Sequence, residues 1–193
     1  MRRICVFCGS SAGSNPAYAS AARALGGTLA ARGIGLVYGG GSIGLMGILA
    51  DATLAAGGEV EGVIPRALQL RELAHAGLTA LHVVSSMHER KAKMAELAEA
   101  FVALPGGMGT LEELAEILTW AQLGLHAHPC GLLDVAGYYR PLIAFLDHAA
   151  GEGFLRPEHR RLLLVAEEPG ALLDRFLTWQ PPPVERWIDS RAT

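Results

Sequence analysis

Cysteine is scarce in this sequence, and its basic residues form no dominant run. Three of the 193 residues are cysteine, and this odd, small number argues against a disulfide framework and for a reducing compartment. The net charge is −3 and no basic stripe is present, which argues against general binding to nucleic acid or to an anionic membrane. We therefore expect a cytoplasmic protein whose anionic ligand, if it has one, is small and held by a few placed groups.

The sequence also lacks an apolar segment suited to crossing a membrane or directing secretion. Arg2 and Arg3 precede the apolar run Ile4–Cys8, which is shorter than the ~7–15 residues of a signal-peptide core. The uncharged stretch Gly33–Ala50 approaches spanning length, yet seven of its residues are glycine and Gly39–Ser42 interrupts it. A buried strand, a loop and a helix are the better interpretation of this stretch.

Short apolar runs alternate with helical patterns along most of the chain. The strand-like runs are Ile4–Cys8, Ile34–Tyr38, Val60–Ile64, Leu81–Val84, Phe101–Leu104, Cys130–Leu133 and Leu162–Val165, and helical patterns lie at about 16–32, 43–56, 87–99, 109–124, 138–150 and 169–178. Apolar runs without polar alternation are typical of strands buried on both faces of a parallel sheet. The sequence thus predicts an α/β, doubly wound parallel sheet forming a single domain over residues 1–180. The tail, 181–193, is expected to be extended or packed on a partner.

Cys5 and Cys8 form a CxxC motif within the first of these strand-like runs. Two residues three apart on a strand point to opposite faces of the sheet. The pair is therefore predicted to be two plain core cysteines, not a metal or redox site.

Glycine is abundant, and its distribution is uneven. The chain has 24 glycines, well above the usual ~7% of residues, and ten of them fall in the segments Gly9–Asn15, Gly39–Gly47 and Pro105–Thr110. Each segment follows a predicted strand, at the edge of the sheet where doubly wound proteins bind their ligands. The surplus of glycine therefore predicts a ligand site built from three loops.

The segment Gly39–Gly44 matches the GxGxxG pattern of dinucleotide-binding proteins. Such a site needs an acidic residue about 20 positions later, at the end of the next strand. Glu59 and Glu61 have that spacing but lie at the start of their strand, so NAD or FAD is disfavoured. Two interpretations remain: close packing of a helix on the sheet, or lining of a nucleotide crevice, which we favour. No Walker lysine follows the glycines.

The segment Pro105–Thr110, with sequence PGGMGT, is the stronger signal for an anion site. It joins a buried strand to an amphipathic helix, where glycines let the backbone approach an anion and helix N–H groups can hold phosphate. The Thr110 hydroxyl would add a donor. The alternative is a plain strand-to-helix turn in which Thr110 caps the helix.

Charged residues beside this segment indicate the chemistry. Glu112 and Glu113 would repel a bound phosphate unless they face positive charge, and cleavage of an N-glycosidic bond creates such charge at C1′. Arg90 and Lys91 begin a helix, where the helix dipole disfavours cations. A ligand role is favoured for Arg90 and left evenly open for Lys91.

At these motifs the sequence resembles the LONELY GUY family of cytokinin riboside 5′-monophosphate phosphoribohydrolases, often labelled lysine decarboxylases. The resemblance covers about Arg3–Leu155. It is carried by CVFCGSSAGSNPAY (Cys5–Tyr18), VYGGGSIGLMG (Val37–Gly47), MHERK (Met87–Lys91), PGGMGTLEE (Pro105–Glu113) and TWAQLGLH (Thr119–His126). The sequence suggests no pyridoxal-type lysine, so the decarboxylase label is rejected.

The resemblance implies a Rossmann-like homodimer, without metal or redox cofactor, that releases free base and ribose 5-phosphate from AMP or N6-isopentenyl-AMP. It implies that Arg90 and Glu113 are the catalytic pair. The substrate- and phosphate-binding residues it implies are Glu72, Lys91, Gly106, Gly107, Gly109, Thr110, Ser10 and Met87. Two alternatives are kept: a non-catalytic carrier of a nucleotide or molybdopterin-like cofactor, and, less favoured given the negative charge, a single-stranded DNA-binding protein.

Overall fold

Seven parallel strands form one sheet in the computed structural model, which describes residues 1–69 and 74–182. The strands are β1 (Arg3–Phe7), β2 (Gly35–Tyr38), β3 (Val60–Pro65), β4 (Ala80–Val84), β5 (Phe101–Ala103), β6 (Cys130–Leu133) and β7 (Leu163–Ala166). Their order is β4-β3-β2-β1-β5-β6-β7, and each neighbouring pair is parallel. The order reverses between β1 and β5, so the ligand crevice of such a sheet lies at the carboxyl ends of these two strands.

Helices cover both faces of the sheet. They are α1 (Pro16–Ala31), α2 (Gly44–Ala55), α3 (Met87–Leu97), α4 (Met108–Gln122), α5 (Arg140–Gly151), α6 (Pro157–Arg160) and α7 (Pro169–Leu177), with a 3₁₀ turn at Val135–Gly137. One core contains buried side chains of α1, α2 and α7, and two further clusters pack α3, α4 and α5 on the opposite face. Across the described ranges, no helix is both long and apolar enough to cross a membrane.

The predicted fold is confirmed: every strand-like run of the sequence forms a strand, and all six helical patterns form helices. The four-residue α6 and the 3₁₀ turn were missed, because elements this short have too few positions to show a periodic pattern. The division at residue 180 stays a prediction. Most of the proposed tail, 183–193, lies outside the described residues.

Local sequence sets where two helices begin. Asn15 precedes α1, and its side-chain oxygen accepts a hydrogen bond from the Ala17 N–H at 3.0 Å. Ser86 precedes α3 and accepts from the Glu89 N–H at 3.1 Å. Such caps satisfy N–H groups that have no partner inside the helix. They fix the first turn of α3, which carries Arg90.

The prediction that Cys5 and Cys8 lie in the core is confirmed. Cys5 packs in the core beneath α3 and α4, whereas Cys8 packs in the core of the opposite face. Both thiols and that of Cys130 are free and buried. Burial raises the pKa of all three, that of Cys130 to about 12.

We expect these thiols to resist alkylation in the folded protein. At pH 8 a raised pKa keeps the thiol protonated, and only the thiolate is a good nucleophile. Iodoacetamide should label fewer than about one in ten cysteines of the native protein during an incubation that labels all of them in guanidinium. Mass spectrometry measures the labelling, and full modification of native Cys8 would contradict the described burial.

Candidate active site

A cleft of about 330 Å³ opens at the carboxyl ends of β1, β2 and β5. It lies at the switch point, where the three glycine-rich segments meet. Among the sequence-predicted site residues, those lining it are Ser10, Met87, Arg90, Gly107, Gly109, Thr110 and Glu113. Gly106 and Lys91 lie beside the lining residues without being part of that set, and Glu72 falls outside the described residues. The structure therefore brings most of the predicted site together.

The start of α4 lines the cleft. Gly107 is the N-cap residue and has no side chain with which to cap the helix, so the first N–H groups of α4 depend on other partners. The alternative in which Thr110 caps the helix is wrong, because Thr110 lies inside α4 and is buried. An uncapped helix start facing a cleft is a ready-made site for an anion such as phosphate.

The glycines of PGGMGT have two distinct roles. A Cβ at Gly106 would collide with the Thr110 side chain and approach the backbone nitrogen of Gly9 to 2.9 Å. A Cβ at Gly107 or Gly109 would meet no atom within 4 Å. Gly106 therefore serves close packing of the loop, whereas Gly107 and Gly109 face open space that a ligand can enter.

This difference predicts a separation of stability from binding. Gly109→Ala should leave the melting temperature unchanged or slightly higher, because alanine favours the helix by about 0.5–1 kcal/mol over glycine. Its methyl group should narrow the cleft and raise the KM for a nucleotide about tenfold, which corresponds to ~1.4 kcal/mol. Gly106→Ala should instead lower the melting temperature by several degrees, since overpacking costs about 1–3 kcal/mol. Thermal unfolding and steady-state kinetics test both; a destabilised Gly109→Ala protein would contradict the assignment.

Arg90 is held beneath the cleft by the ends of two strands. The residue is only 6% exposed. Its guanidinium donates a hydrogen bond from Nη2 to the Gly39 carbonyl at 2.9 Å and another from Nε to the Val63 carbonyl at 3.1 Å. A Cβ at position 39 would collide with Nη2, which explains the glycine there. Backbone carbonyls thus offset a cation that the start of α3 would otherwise disfavour.

The GxGxxG segment packs backbone closely and also lines the crevice. Gly44 has φ +62°, and a Cβ there would collide with the Ser10 backbone, while Gly39 lines the cleft. Glu61 lies near the start of β3, where it accepts from Arg3 at 2.8 Å and pairs with His82 at 2.9 Å. Since this pair is at the opposite edge of the sheet, Glu61 is not placed to bind a ribose in the cleft.

Glu113 and Arg90 shift the pKa values of the same two thiols in opposite directions. Burial raises the pKa of Cys8, the Glu113 carboxylate raises it further, and the Arg90 guanidinium lowers it. Cys5 responds to the same three influences. Because Cys8 also lines the cleft, a neutral thiol lies near a carboxylate and a guanidinium of opposite charge.

Lys91 bridges two helices through carboxylates of α4. Its Nζ lies 2.5 Å from Glu112 Oε1 and 3.0 Å from Glu116 Oε1. Burial tends to lower the pKa of Lys91, but the hydrogen bonds from these carboxylates outweigh it and raise the pKa. The anion that compensates Lys91 is therefore supplied by the protein itself.

Sequence reasoning missed the apolar part of the cleft. Met46, Met94, Met108 and Leu68 line it together with Met87, so four of the five methionines in the chain converge there. Methionine is flexible and polarisable and adapts to irregular apolar ligands. The signal was available, since these methionines occur in or beside the glycine-rich and MHERK segments already singled out.

The strand order defines a Rossmann-like protein. Its cleft combines the uncapped start of α4 with a buried arginine, an arrangement suited to an anionic ligand. A family model described as "possible lysine decarboxylase" matches residues 46–176. Cytokinin riboside 5′-monophosphate phosphoribohydrolase LOG7 of Arabidopsis thaliana is 51% identical over 180 residues, 93% of this chain and 83% of the relative. The rice relative LOGL2, a probable enzyme of the same name, is 51% identical over 93% of this chain and 74% of its own length. The chain belongs to this family, the LONELY GUY family, which confirms the resemblance.

Solved structures with the same fold carry a different description. The molybdenum cofactor carrier protein of Chlamydomonas reinhardtii superposes with a TM-score of 0.70 at 23% identity, covering 92% of this chain and 99% of that one. The molybdenum cofactor binding protein of Rippkaea orientalis gives a TM-score of 0.70 at 19% identity, covering 92% and 97%. At this level of identity the likeness supports the fold alone.

The geometry also bears on the decarboxylase description. The chain contains two lysines. A lysine that forms a Schiff base needs a lowered pKa, whereas that of Lys91 is raised. Lys93 forms an ion pair with Glu96 at 3.1 Å on α3 and is not part of the cleft lining. The described site thus gives no support to pyridoxal chemistry.

Proposed function

We propose that the protein hydrolyses the N-glycosidic bond of cytokinin riboside 5′-monophosphates, AMP or both, releasing free base and ribose 5-phosphate. The observation that carries this proposal is the meeting of Arg90 and Glu113 with the uncapped start of α4 in one cleft. Membership of a family whose curated members carry this activity in their names supports it.

The arrangement suits a phosphate at one end of the substrate. Gly107, Gly109 and Thr110 line the cleft at the α4 start, where helix N–H groups and the helix dipole favour an anion. Binding there would place the ribose over Glu113. The 5′-phosphate is thereby distinguished from an unphosphorylated nucleoside.

Glu113 is assigned to the reacting centre. As the bond between C1′ and the base nitrogen lengthens, positive charge develops on the ribose, and a nearby carboxylate stabilises it. The same carboxylate positions the water whose oxygen forms the new bond to C1′. A proton of that water ends on the nitrogen of the departing base, which completes the hydrolysis. Arg90, fixed by the Gly39 and Val63 carbonyls, orients the substrate and assists departure of the base.

The methionine-lined part of the cleft is assigned to the base. Its soft apolar side chains fit an adenine ring carrying an N6-isopentenyl group better than a polar base. We therefore propose that N6-modified AMP is turned over more efficiently than AMP. Ser10, Gly106, Lys91 and Glu72 remain proposed as further substrate contacts or supports, with neither metal nor cofactor required.

The experiment that tests this function is incubation of purified protein with AMP, isopentenyl-AMP and adenosine. Each nucleotide should release base and ribose 5-phosphate in a one-to-one ratio, and EDTA should not change the rate. Adenosine should react at least tenfold more slowly than AMP, which is the effect of losing ~1.4 kcal/mol of binding. Chromatography measures the base, and a coupled assay measures the sugar phosphate. Saturable AMP binding without base release would instead favour the carrier function.

The assembly and location are part of the same proposal. We propose a cytoplasmic homodimer, in which residues of one chain could complete the cleft of the other. Light scattering on the eluting protein measures the mass directly. A monomer with full activity would exclude a shared site.

A further inference from the structure

Three consecutive carbonyls before the α4 start each accept a hydrogen bond from a residue distant in the sequence. The Leu104 carbonyl accepts from the Tyr139 hydroxyl at 2.6 Å, and the Pro105 carbonyl accepts from the Gly9 N–H at 3.1 Å. The Gly106 carbonyl accepts from the Tyr138 hydroxyl at 2.5 Å. The segment that leads into the proposed phosphate site is therefore fixed peptide by peptide.

The hydrogen bond from Tyr138 to the Gly106 carbonyl also orients the N–H of the same peptide group, which belongs to Gly107. The peptide bond between Gly106 and Gly107 is trans, and a planar trans peptide points its C=O and N–H in opposite directions. With the Gly106 carbonyl fixed toward Tyr138, the Gly107 N–H points away from Tyr138. Gly107 lines the cleft and begins the uncapped helix, whereas Tyr138 is not among the lining residues, so an N–H that points away from Tyr138 is available to a ligand in the cleft.

Tyr138 is itself held in place by its surroundings. The preceding turn contains Ala136 at φ +52°, a conformation uncommon for a residue with a Cβ, and Asp134 accepts from the Tyr139 N–H at 2.7 Å. The Tyr138 ring meets the ring of Tyr18 edge to face, with centroids 5.5 Å apart. A tyrosine that remains 39% exposed is thus fixed by a shaped turn and an aromatic partner.

We propose that Tyr138 is a positioning residue that sets the orientation of the Gly107 N–H and thereby the affinity of the cleft for a 5′-phosphate. The inference rests on the proposed function for the identity of the ligand. Without the hydroxyl, the glycine–glycine peptide is free to rotate, since glycine accepts both signs of φ. The phosphate would then lose a donor held ready for it.

Tyr138→Phe and Tyr139→Phe form a matched pair, because each removes one hydroxyl from one loop carbonyl. Calorimetry with ribose 5-phosphate and, separately, adenine distinguishes the two ends of the cleft. For Tyr138→Phe, the Kd of ribose 5-phosphate should rise about tenfold, the size of one charge-assisted hydrogen bond, and that of adenine should stay within about twofold. Tyr139 is buried, so its variant should lower the melting temperature and leave the ratio of the two Kd values unchanged.

Several outcomes would overturn the inference. An unchanged Kd for ribose 5-phosphate in Tyr138→Phe would do so, as would an equal loss for both ligands, which indicates general damage. If the wild type releases no base yet binds ribose 5-phosphate more tightly than the variant, the proposed function fails and the positioning role stands. If the wild type releases base and Tyr138→Phe binds ribose 5-phosphate as tightly as the wild type does, the proposed function stands and the positioning role fails. If the wild type does not bind ribose 5-phosphate, the positioning role fails, and base release alone decides the proposed function.

Discussion

Replacing Glu113 by glutamine should reduce turnover of a nucleoside 5′-monophosphate about a thousandfold. Removing one group that stabilises transition-state charge typically costs 10²–10³ or more in kcat, and glutamine keeps the shape of the side chain while losing the negative charge. Because the charge on the ribose exists only in the transition state, the Kd of ribose 5-phosphate should change less than about threefold. Rapid-quench kinetics and calorimetry measure these two quantities separately.

Glu96→Gln is the matched control for this variant. It makes the same chemical change on α3, where Glu96 pairs with Lys93 away from the cleft, and it should retain wild-type turnover. Equal turnover by Glu113→Gln and wild type would remove Glu113 from the reacting centre. A fall in turnover that is matched by weaker ribose 5-phosphate binding would assign Glu113 to substrate binding instead.

Replacing Arg90 by lysine should reduce kcat about a hundredfold, although the positive charge is kept. Lysine cannot reproduce the planar fork that donates to Gly39 and Val63 together, so the charge would be displaced by an ångström or more. Misplacement of this size costs about 10² in rate. One buried carbonyl would also lose its donor, and the melting temperature should fall by several degrees.

Arg23→Lys is the control for the arginine, since Arg23 is exposed on α1. It should change neither the melting temperature nor the rate. A wild-type rate for Arg90→Lys would show that a positive charge anywhere near the cleft is sufficient. A loss of stability without any change in kcat would assign Arg90 a purely structural role.

The sequence predicted the fold and the phosphate-facing part of the site because both are encoded locally. A run such as Phe101–Leu104 followed by PGGMGT contains a buried strand, a flexible turn and the start of an amphipathic helix within a few residues. The position of Glu61 at the start of its strand likewise predicted that it lies at the opposite end of the strands from the cleft. Local order along the chain was enough for these inferences.

Contacts between distant parts of the chain were beyond such reasoning. The carbonyls that hold Arg90 lie 27 and 51 residues away, and Tyr138 reaches a carbonyl 32 residues away. Lys91 shows the same limit: its position at a helix start indicated a missing anion, and only the packing of α3 against α4 shows that Glu112 and Glu116 supply one. Spacing identifies a need for a partner, and tertiary structure chooses the partner.

The position of the cleft at the strand-order reversal has a consequence for how this protein can change. Arg90 and the methionines Met46, Met87 and Met94 belong to α2 and α3, on the side of the sheet formed by β2, β3 and β4. The α4 start, Glu113 and Tyr138 follow β5 and β6, on the other side of β1, and so does Met108, the fourth methionine of the cleft. The base and the sugar phosphate would then be recognised largely by separate halves of the molecule. Substitutions among the three methionines could therefore retune which base is accepted while the half that handles the sugar phosphate is inherited unchanged.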